Sequence, residues 1–286
     1  MKYRHPVTTG HAIGGSAAGM ALTAAVLPAP PGVLLGQPVP GHLTLGEHLW
    51  GFGGIHGGLT LALMTSAMQR QAAGEPLRSI TARYHRPITG EFGIEVTPLR
   101  SGHTVRTLAA RATGQHGPYV DATGVFSSPQ HAGWPPVTPR PPVAPPPADC
   151  AVFAIPPEFA PISAYLEVRP VGPNRPYAAG TEPALTAWAR LREDELPPGT
   201  SRLVLLMDAL APSYAAILRA LAPIPTVELT VRPSQSLAKA SSPWVLMHAR
   251  TRAASADGWI DEEIHAWGPD GAHLGSAQQL RLIRAG

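Results

Sequence analysis

A single cysteine, Cys150, serves a chain of 286 residues, so neither an intrachain disulfide nor a cysteine-based zinc cluster can form. Cys150 follows a run of prolines with no obvious base near it in sequence, which argues against a reactive nucleophile. Lysine is almost as scarce. Lys2 and Lys239 are the only two, and the arginines are scattered singly, so no basic run marks a nucleic-acid footprint. Charged residues make up 14% of the chain against 44% hydrophobic ones, which excludes a chain kept disordered by its own charge. No stretch approaches the ~20 unbroken apolar residues of a membrane-spanning helix. Lys2 and Arg4 precede weakly apolar residues from His11 to Leu27 in the outline of a signal peptide, but Gly14, Gly15, Ser16 and Gly19 interrupt it. Residues 1–32 are read as an N-terminal extension of a cytoplasmic protein, with export as the lesser reading. The formal charge of +3 would suit an anionic small molecule, but an arginine-, alanine- and proline-rich composition is the favoured account of it.

What the chain has in abundance is proline, and its distribution divides the sequence. Pro135, Pro136, Pro139, Pro141, Pro142, Pro145, Pro146 and Pro147 crowd the interval from Ser127 to Asp149 and forbid regular helix or a central strand there. The length favours two domains of similar size. The expected organisation is one domain at 33–127, a stiff connector at 128–149 and a second domain at 150–286.

The two parts follow one plan. In the first, Leu59, Leu61, Leu63, Met64, Ala67 and Met68 make a helix over Gly57 to Gln71 apolar on most of its surface, so it is expected to be buried. Strands are expected at Ser79 to Arg86, Gly93 to Leu99, Thr104 to Gly114 and Tyr119 to Phe126. In the second, a helix is expected over Pro212 to Leu221, after a short apolar run at Leu203 to Met207. Strands then recur at Thr226 to Val231, Val245 to Arg252, Trp259 to Trp267 and His273 to Ile283, with Asp257-Gly258 and Asp270-Gly271 as turn signals. Both first strands end in Arg-Pro, at Arg86-Pro87 and Arg232-Pro233. An internal duplication of a helix wrapped by a curved antiparallel sheet is an α+β double hotdog, favoured over two unrelated α+β domains because the order matches.

Several segments carry a resemblance to a known family. Leu49-Trp50-Gly51-Phe52-Gly53-Gly54-Ile55-His56-Gly57-Gly58 sets an aromatic before glycine pairs that open a helix. Thr81 to Pro87, Val96 to Gly102 and Gly117 to Phe126 continue the match, followed by Leu205-Leu206-Met207-Asp208-Ala209, Thr226 to Val231 and Gly271 to Leu280. In order and spacing the chain after about Gly32 resembles the double-hotdog acyl-CoA thioesterase II family. The resemblance implies thioester hydrolysis with Asp208, Thr226 and Gln278 as the reacting residues, and His56, Gly57 and Gly58 beside the substrate. It implies acyl-CoA or an acyl-carrier thioester as the partner and a homo-oligomer as one assembly, with no cofactor, metal, nucleic acid or membrane required. Two departures are visible: the interval from Asp208 to Thr226 is shorter than in some members, and His103 occupies a place where many have arginine.

Hydrolysing a thioester needs a positioned water, a group to take its proton and donors for the oxyanion. Asp208 can act as the base while Thr226 and Gln278 orient the water, and backbone N–H groups at the glycine-rich helix start can face the thioester oxygen. Plainer readings stay open. Asp208 can be an N-cap at the start of the second helix. Thr226 can be an ordinary strand residue, and since Gln278 adjoins Gln279 one of the two must face solvent. The glycines can serve close packing alone. His42, His48 and His56 with Glu47 follow no metal-ligand spacing, no Gly-x-Ser-x-Gly elbow is present, and the histidine motif of a hotdog dehydratase is missing. The leading expectation is an acyl-thioester hydrolase with an apolar channel lined from the Gly57 helix and opening near Asp208. The alternative is a non-hydrolytic protein on the same scaffold that binds or tailors a thioester-linked biosynthetic intermediate.

Overall fold

The computed structural model describes residues 29–39, 41–129, 133–193 and 195–284. The expected N-terminal extension therefore lies largely outside the described residues. Its last two, Pro31 and Gly32, open a short helix, α1 (Pro31–Gly36), whose Leu34 and Leu35 pack against the core. There follow β1 (His42–Leu43), α2 (Gly57–Gln71), β2 (Leu77–Tyr84), β3 (Phe92–Ser101), β4 (Arg106–Gly114) and β5 (Gly117–Phe126). Beyond the proline-rich connector come β6 (Leu166–Val171), β7 (Ala184–Leu191), α3 (Thr200–Leu206), β8 (Thr226–Pro233), β9 (Val245–Ala254), β10 (Trp259–Trp267) and β11 (His273–Leu282). All eleven strands form one antiparallel sheet in the order β1-β3-β4-β5-β2-β8-β11-β10-β9-β7-β6. The α+β double hotdog is thus the observed fold.

The order runs outward from the β2–β8 seam as β5, β4, β3 on one side and β11, β10, β9 on the other, so the four strands after each helix occupy equivalent places. At the seam Ile80 faces Val231, Thr81 faces Thr230, Ala82 faces Leu229 and Arg83 faces Glu228. The two threonine hydroxyls share a hydrogen bond of 2.9 Å, and Arg83 pairs with Glu228 at 2.9 Å. Cross-strand pairs of this kind each contribute a few tenths of a kcal/mol to about 1 kcal/mol, and they fix the register that aligns the two halves.

The helices lie on the inner face of the sheet. Every residue of α2 from Gly58 to Met68 is buried, as its apolar surface requires. The second helix is α3, Thr200–Leu206, and not the expected Pro212 to Leu221. The run Leu203 to Met207, read as a short apolar stretch, is the last part of this helix with its C-cap, and all of it is buried. Pro212 instead precedes a 3-10 turn at Ser213–Ile217. The sequence pattern also missed β6 and β7, which extend the second half beyond β9, whereas only the two-residue β1 occupies the corresponding edge of the first half. Helices α2 and α3 run antiparallel: Ser201 at the start of α3 meets Ser66, at 2.7 Å between hydroxyls, and Gln69, while the residue following α3's C-cap meets the start of α2.

The connector straps the outer face of the second half. The indole N–H of Trp267 donates to the Pro139 carbonyl at 3.0 Å and that of Trp188 to the Pro145 carbonyl at 2.9 Å. Between these anchors Pro139 to Pro142 wall a pocket of about 290 Å³ whose bed includes His248, Glu263, His265 and Trp267. Burial holds the pKa of His248 and of His273 below the ordinary histidine value, with repulsion from Arg250 added for the first and from His265 for both. The unfolded chain takes up these protons near pH 6.5, the folded protein only below that, so the unfolded state binds more protons and stability falls as pH drops through about 6.5. The melting temperature should therefore decline between pH 7 and pH 5, and a His248→Gln/His273→Gln variant should decline less over that window. An equal decline in both proteins would refute the assignment.

Candidate active site

Asp208 is placed by both halves of the molecule. It follows the C-cap of α3, so it is not the N-cap of its own helix; its carboxylate instead caps the helix of the other half. Oδ2 accepts the Gly58 N–H at the first turn of α2 at 2.8 Å. Oδ1 accepts from the Gln279 amide at 3.2 Å, and that amide donates also to the Met207 carbonyl at 3.2 Å. A carboxylate at a helix N-terminus is favoured by the unpaired N–H groups and the macrodipole there. The close approach depends on glycine. A Cβ at Gly58 would lie 2.6 Å from the Asp208 Cβ, and one at Gly57 would lie 3.2 Å from Oδ2.

Of the three expected reacting residues, the structure brings Asp208 and Thr226 to one network and leaves Gln278 out. Gln278 sits opposite Glu263 and Thr230 on the outer face and is exposed. Gln279, one residue on, points inward with 1% of its surface exposed, and its Oε1 accepts the Thr226 hydroxyl at 2.9 Å. Strand alternation makes the difference: one residue of shift moves a side chain through the sheet. Two charged residues that sequence reasoning missed complete the network. Arg281, also inward on β11, donates to the Thr226 hydroxyl at 2.9 Å and pairs with Glu262 at 2.7 Å, while its guanidinium lies 3.9 Å from Asp208 Oδ1. The i, i+2 spacing of Gln279 and Arg281 was the signal available for placing them on one face.

His56 and Tyr84 close the other side. His56 is the N-cap of α2: its Nδ1 accepts the Leu59 N–H at 3.3 Å, which puts the ring proton on Nε2, and Nε2 meets the Asp208 carbonyl at 3.1 Å. The Tyr84 hydroxyl donates to the Gly57 carbonyl at 3.1 Å. Burial raises the Tyr84 phenol well above its usual pKa, the Asp208 carboxylate adds to this and Arg281 opposes it, so Tyr84 remains a hydrogen-bond donor at neutral pH. Among the leading donors of α2, Gly58's N–H is taken by Asp208, Leu59's by the His56 ring and Thr60's by the His56 carbonyl. The Gly57 N–H is not among these bonded donors, and Gly57 is half-buried.

Apolar surface borders the site where the chain leaves Asp208. Ala209, Leu210 and Ala211 face Phe153, Val168 and Leu185 across a crevice with about 30 Å³ of open space, room for a water molecule or two. This crevice lies against β6 and β7 and not along α2, whose residues from Gly58 to Met68 are buried. Among the described residues no group of three or more histidine, cysteine or acidic side chains is arranged to hold a metal ion, and no helix is long and apolar enough to cross a membrane.

The comparisons with known proteins bear on both halves. The family model described as the acyl-CoA thioesterase N-terminal domain matches residues 47–127, and the one described as the acyl-CoA thioesterase C-terminal domain matches residues 136–283. The chain belongs to the acyl-CoA thioesterase family. It is a thioester hydrolase on that ground. Solved structures share the fold. A conserved hot dog-fold protein of unknown function from Alicyclobacillus acidocaldarius is 24% identical with a TM-score of 0.76, covering 86% of this chain and 93% of that one. A candidate thioesterase II from Thermobifida fusca is 20% identical with a TM-score of 0.74, covering 85% and 92%. The tesB protein of Mycobacterium avium subs paratuberculosis is 16% identical with a TM-score of 0.68, covering 89% and 99%. A search of curated protein sequences finds no significant match.

In this thioesterase the Gly58–Asp208 contact leaves no room for a methyl group. Gly58→Ala should lower stability by about 1–3 kcal/mol through overpacking and remove most hydrolysis. Gly36→Ala, with nothing within 4 Å of the added atom, should melt near the wild type. Equal melting temperatures and rates for Gly58→Ala and wild type would contradict the tight approach.

Proposed function

We propose that this thioesterase hydrolyses acyl-CoA by direct attack of water, with Asp208 as the general base. The observation that carries the reading is the position of Asp208: Gly58 and Gln279 hold its two oxygens from opposite sides. Four lone-pair positions serve a carboxylate, so one on each oxygen stays open to a water proton. Thr226 and Gln279 act on the carboxylate's orientation, and His56 and Gly57 shape the wall against which the substrate lies.

In the proposed reaction Asp208 takes a proton from water as the water oxygen bonds to the thioester carbonyl carbon. The carbonyl π electrons move onto oxygen, where the Gly57 N–H at the positive end of α2 stabilises the charge. Collapse of the tetrahedral intermediate re-forms the carbonyl and breaks the carbon–sulfur bond. The coenzyme A thiolate leaves and takes up the proton held by Asp208, which restores the base. No covalent acyl-enzyme and no metal are required. The acyl tail is assigned to the crevice of Leu210 and Val168, which must widen to admit it.

A screen of acyl-CoA chain lengths with free-thiol detection tests the activity, and three substitutions test the assignment. Asp208→Asn should slow hydrolysis by about 100- to 10,000-fold with acyl-CoA binding retained, because asparagine caps a helix nearly as well as aspartate but takes no proton. Gln279→Ala should slow it by a smaller factor, whereas Gln278→Ala should stay within about twofold, as expected for an exposed surface position. Equal activity of Asp208→Asn and wild type, or greater loss at Gln278 than at Gln279, would reject the site.

A further inference from the structure

The buried ion pair of Glu262 and Arg281 has no part in proton transfer as described, yet it is placed against the residues that do. Glu262 is 1% and Arg281 5% exposed. Removing two charges from water usually costs as much as their attraction returns, so a pair of this kind is poorly explained by stability alone. Beside a direct approach of the guanidinium to Asp208 Oδ1 at 3.9 Å, its connections reach the base through a chain of hydrogen bonds. One Glu262 oxygen accepts from Arg281 Nε, and the other accepts the Ser213 N–H. Arg281 passes a second N–H to the Thr226 hydroxyl, Thr226 meets Gln279 Oε1, and Gln279 Nε2 meets Asp208 Oδ1.

Hydrogen-bond capacity dictates the direction of that chain. A guanidinium can only donate, so the Thr226 oxygen must accept from it. The hydroxyl's single proton is then left for Gln279, whose carbonyl oxygen must take it. With that oxygen fixed, the amide nitrogen is turned toward two acceptors, the Asp208 carboxylate and the Met207 carbonyl. The reverse orientation of Gln279 would set its carbonyl against both. We infer that Arg281, anchored by Glu262, is a positioning residue that fixes the polarity of the Thr226–Gln279–Asp208 chain and thereby the orientation of the base. The inference rests on the reading of Asp208 as that base.

Arg281→Met alone would strand the buried Glu262 carboxylate, so the variant of choice is Glu262→Leu/Arg281→Met, an apolar replacement of a type that often leaves folding intact. In this background the Thr226 hydroxyl loses the donor that fixes it, and the Gln279 amide is held by the Asp208 and Met207 acceptors alone. Steady-state hydrolysis of acyl-CoA should show kcat reduced about 10- to 100-fold, the scale of a misplaced catalytic group, with KM changed less than about threefold. Thr226→Ala should slow the wild type but add nothing in the double variant, because the orientation it relays is already lost. Arg281→Lys, which still only donates, should be faster than the double variant and serves as a second test if the apolar pair fails to fold. An unchanged kcat in the double variant, the same Thr226→Ala factor in both backgrounds, or Arg281→Lys no faster than the double variant would overturn the positioning role. Asp208→Asn measured alongside separates the two readings. If it is inactive while the cycle is additive, only the role of Arg281 falls; if it is as active as wild type, the base assignment falls and the inference with it.

Discussion

The contact between the Asp208 carboxylate and the Gly58 N–H ties the second half of the chain to the first at the point where chemistry is proposed. It requires α2 to begin where α3 ends, which the antiparallel helix pair provides. It also requires that no side chain intervene, which explains Gly57 and Gly58 at the opening of a helix where glycine is otherwise unfavourable by about 1 kcal/mol. The same carboxylate gains the helix's unpaired donors, so packing and electrostatics are satisfied by one arrangement. Because its ligands come from α2, from the end of α3 and from β11, neither half alone contains the site.

Much of this was legible in the sequence. The apolar residues from Leu59 to Met68 and the glycines before them fixed α2 at Gly57–Gln71, where the structure has it. Alternating strands and turn glycines gave four strands after each helix to within a few residues, and their repetition gave the duplication. What failed did so for identifiable reasons. A seven-residue buried helix has too few turns for periodicity to separate it from an apolar strand, so Thr200–Leu206 was passed over and the helix placed after Pro212. Strand β6 carries Glu167, Arg169 and Pro170 at the edge of the sheet, and neither it nor β7 shows a clear alternation.

The glutamine pair is a sharper lesson. Gln278 and Gln279 are identical in chemistry and adjacent, and a family resemblance alone does not choose between them. The register of β11 against β10 and β8 does choose, setting Gln278 with Glu263 and Thr230 and Gln279 with Glu262 and Leu229. In the second half of the sheet each face therefore has its own polar chemistry: outward, the histidines beneath the proline strap; inward, the buried chain from Glu262 to Asp208. Glu262 and Arg281 were invisible as candidates because each is a common strand-surface residue until burial is known.

Oxygen-isotope tracing of a single turnover tests the central claim, attack by water that Asp208 deprotonates. With enzyme in excess over acyl-CoA in ¹⁸O-water, direct attack places one ¹⁸O in the released acid on the first turnover and leaves the protein unlabelled. Unlabelled acid with ¹⁸O in the Asp208 carboxylate would mean that Asp208 attacks the thioester itself and forms an anhydride, and would contradict its role as a general base.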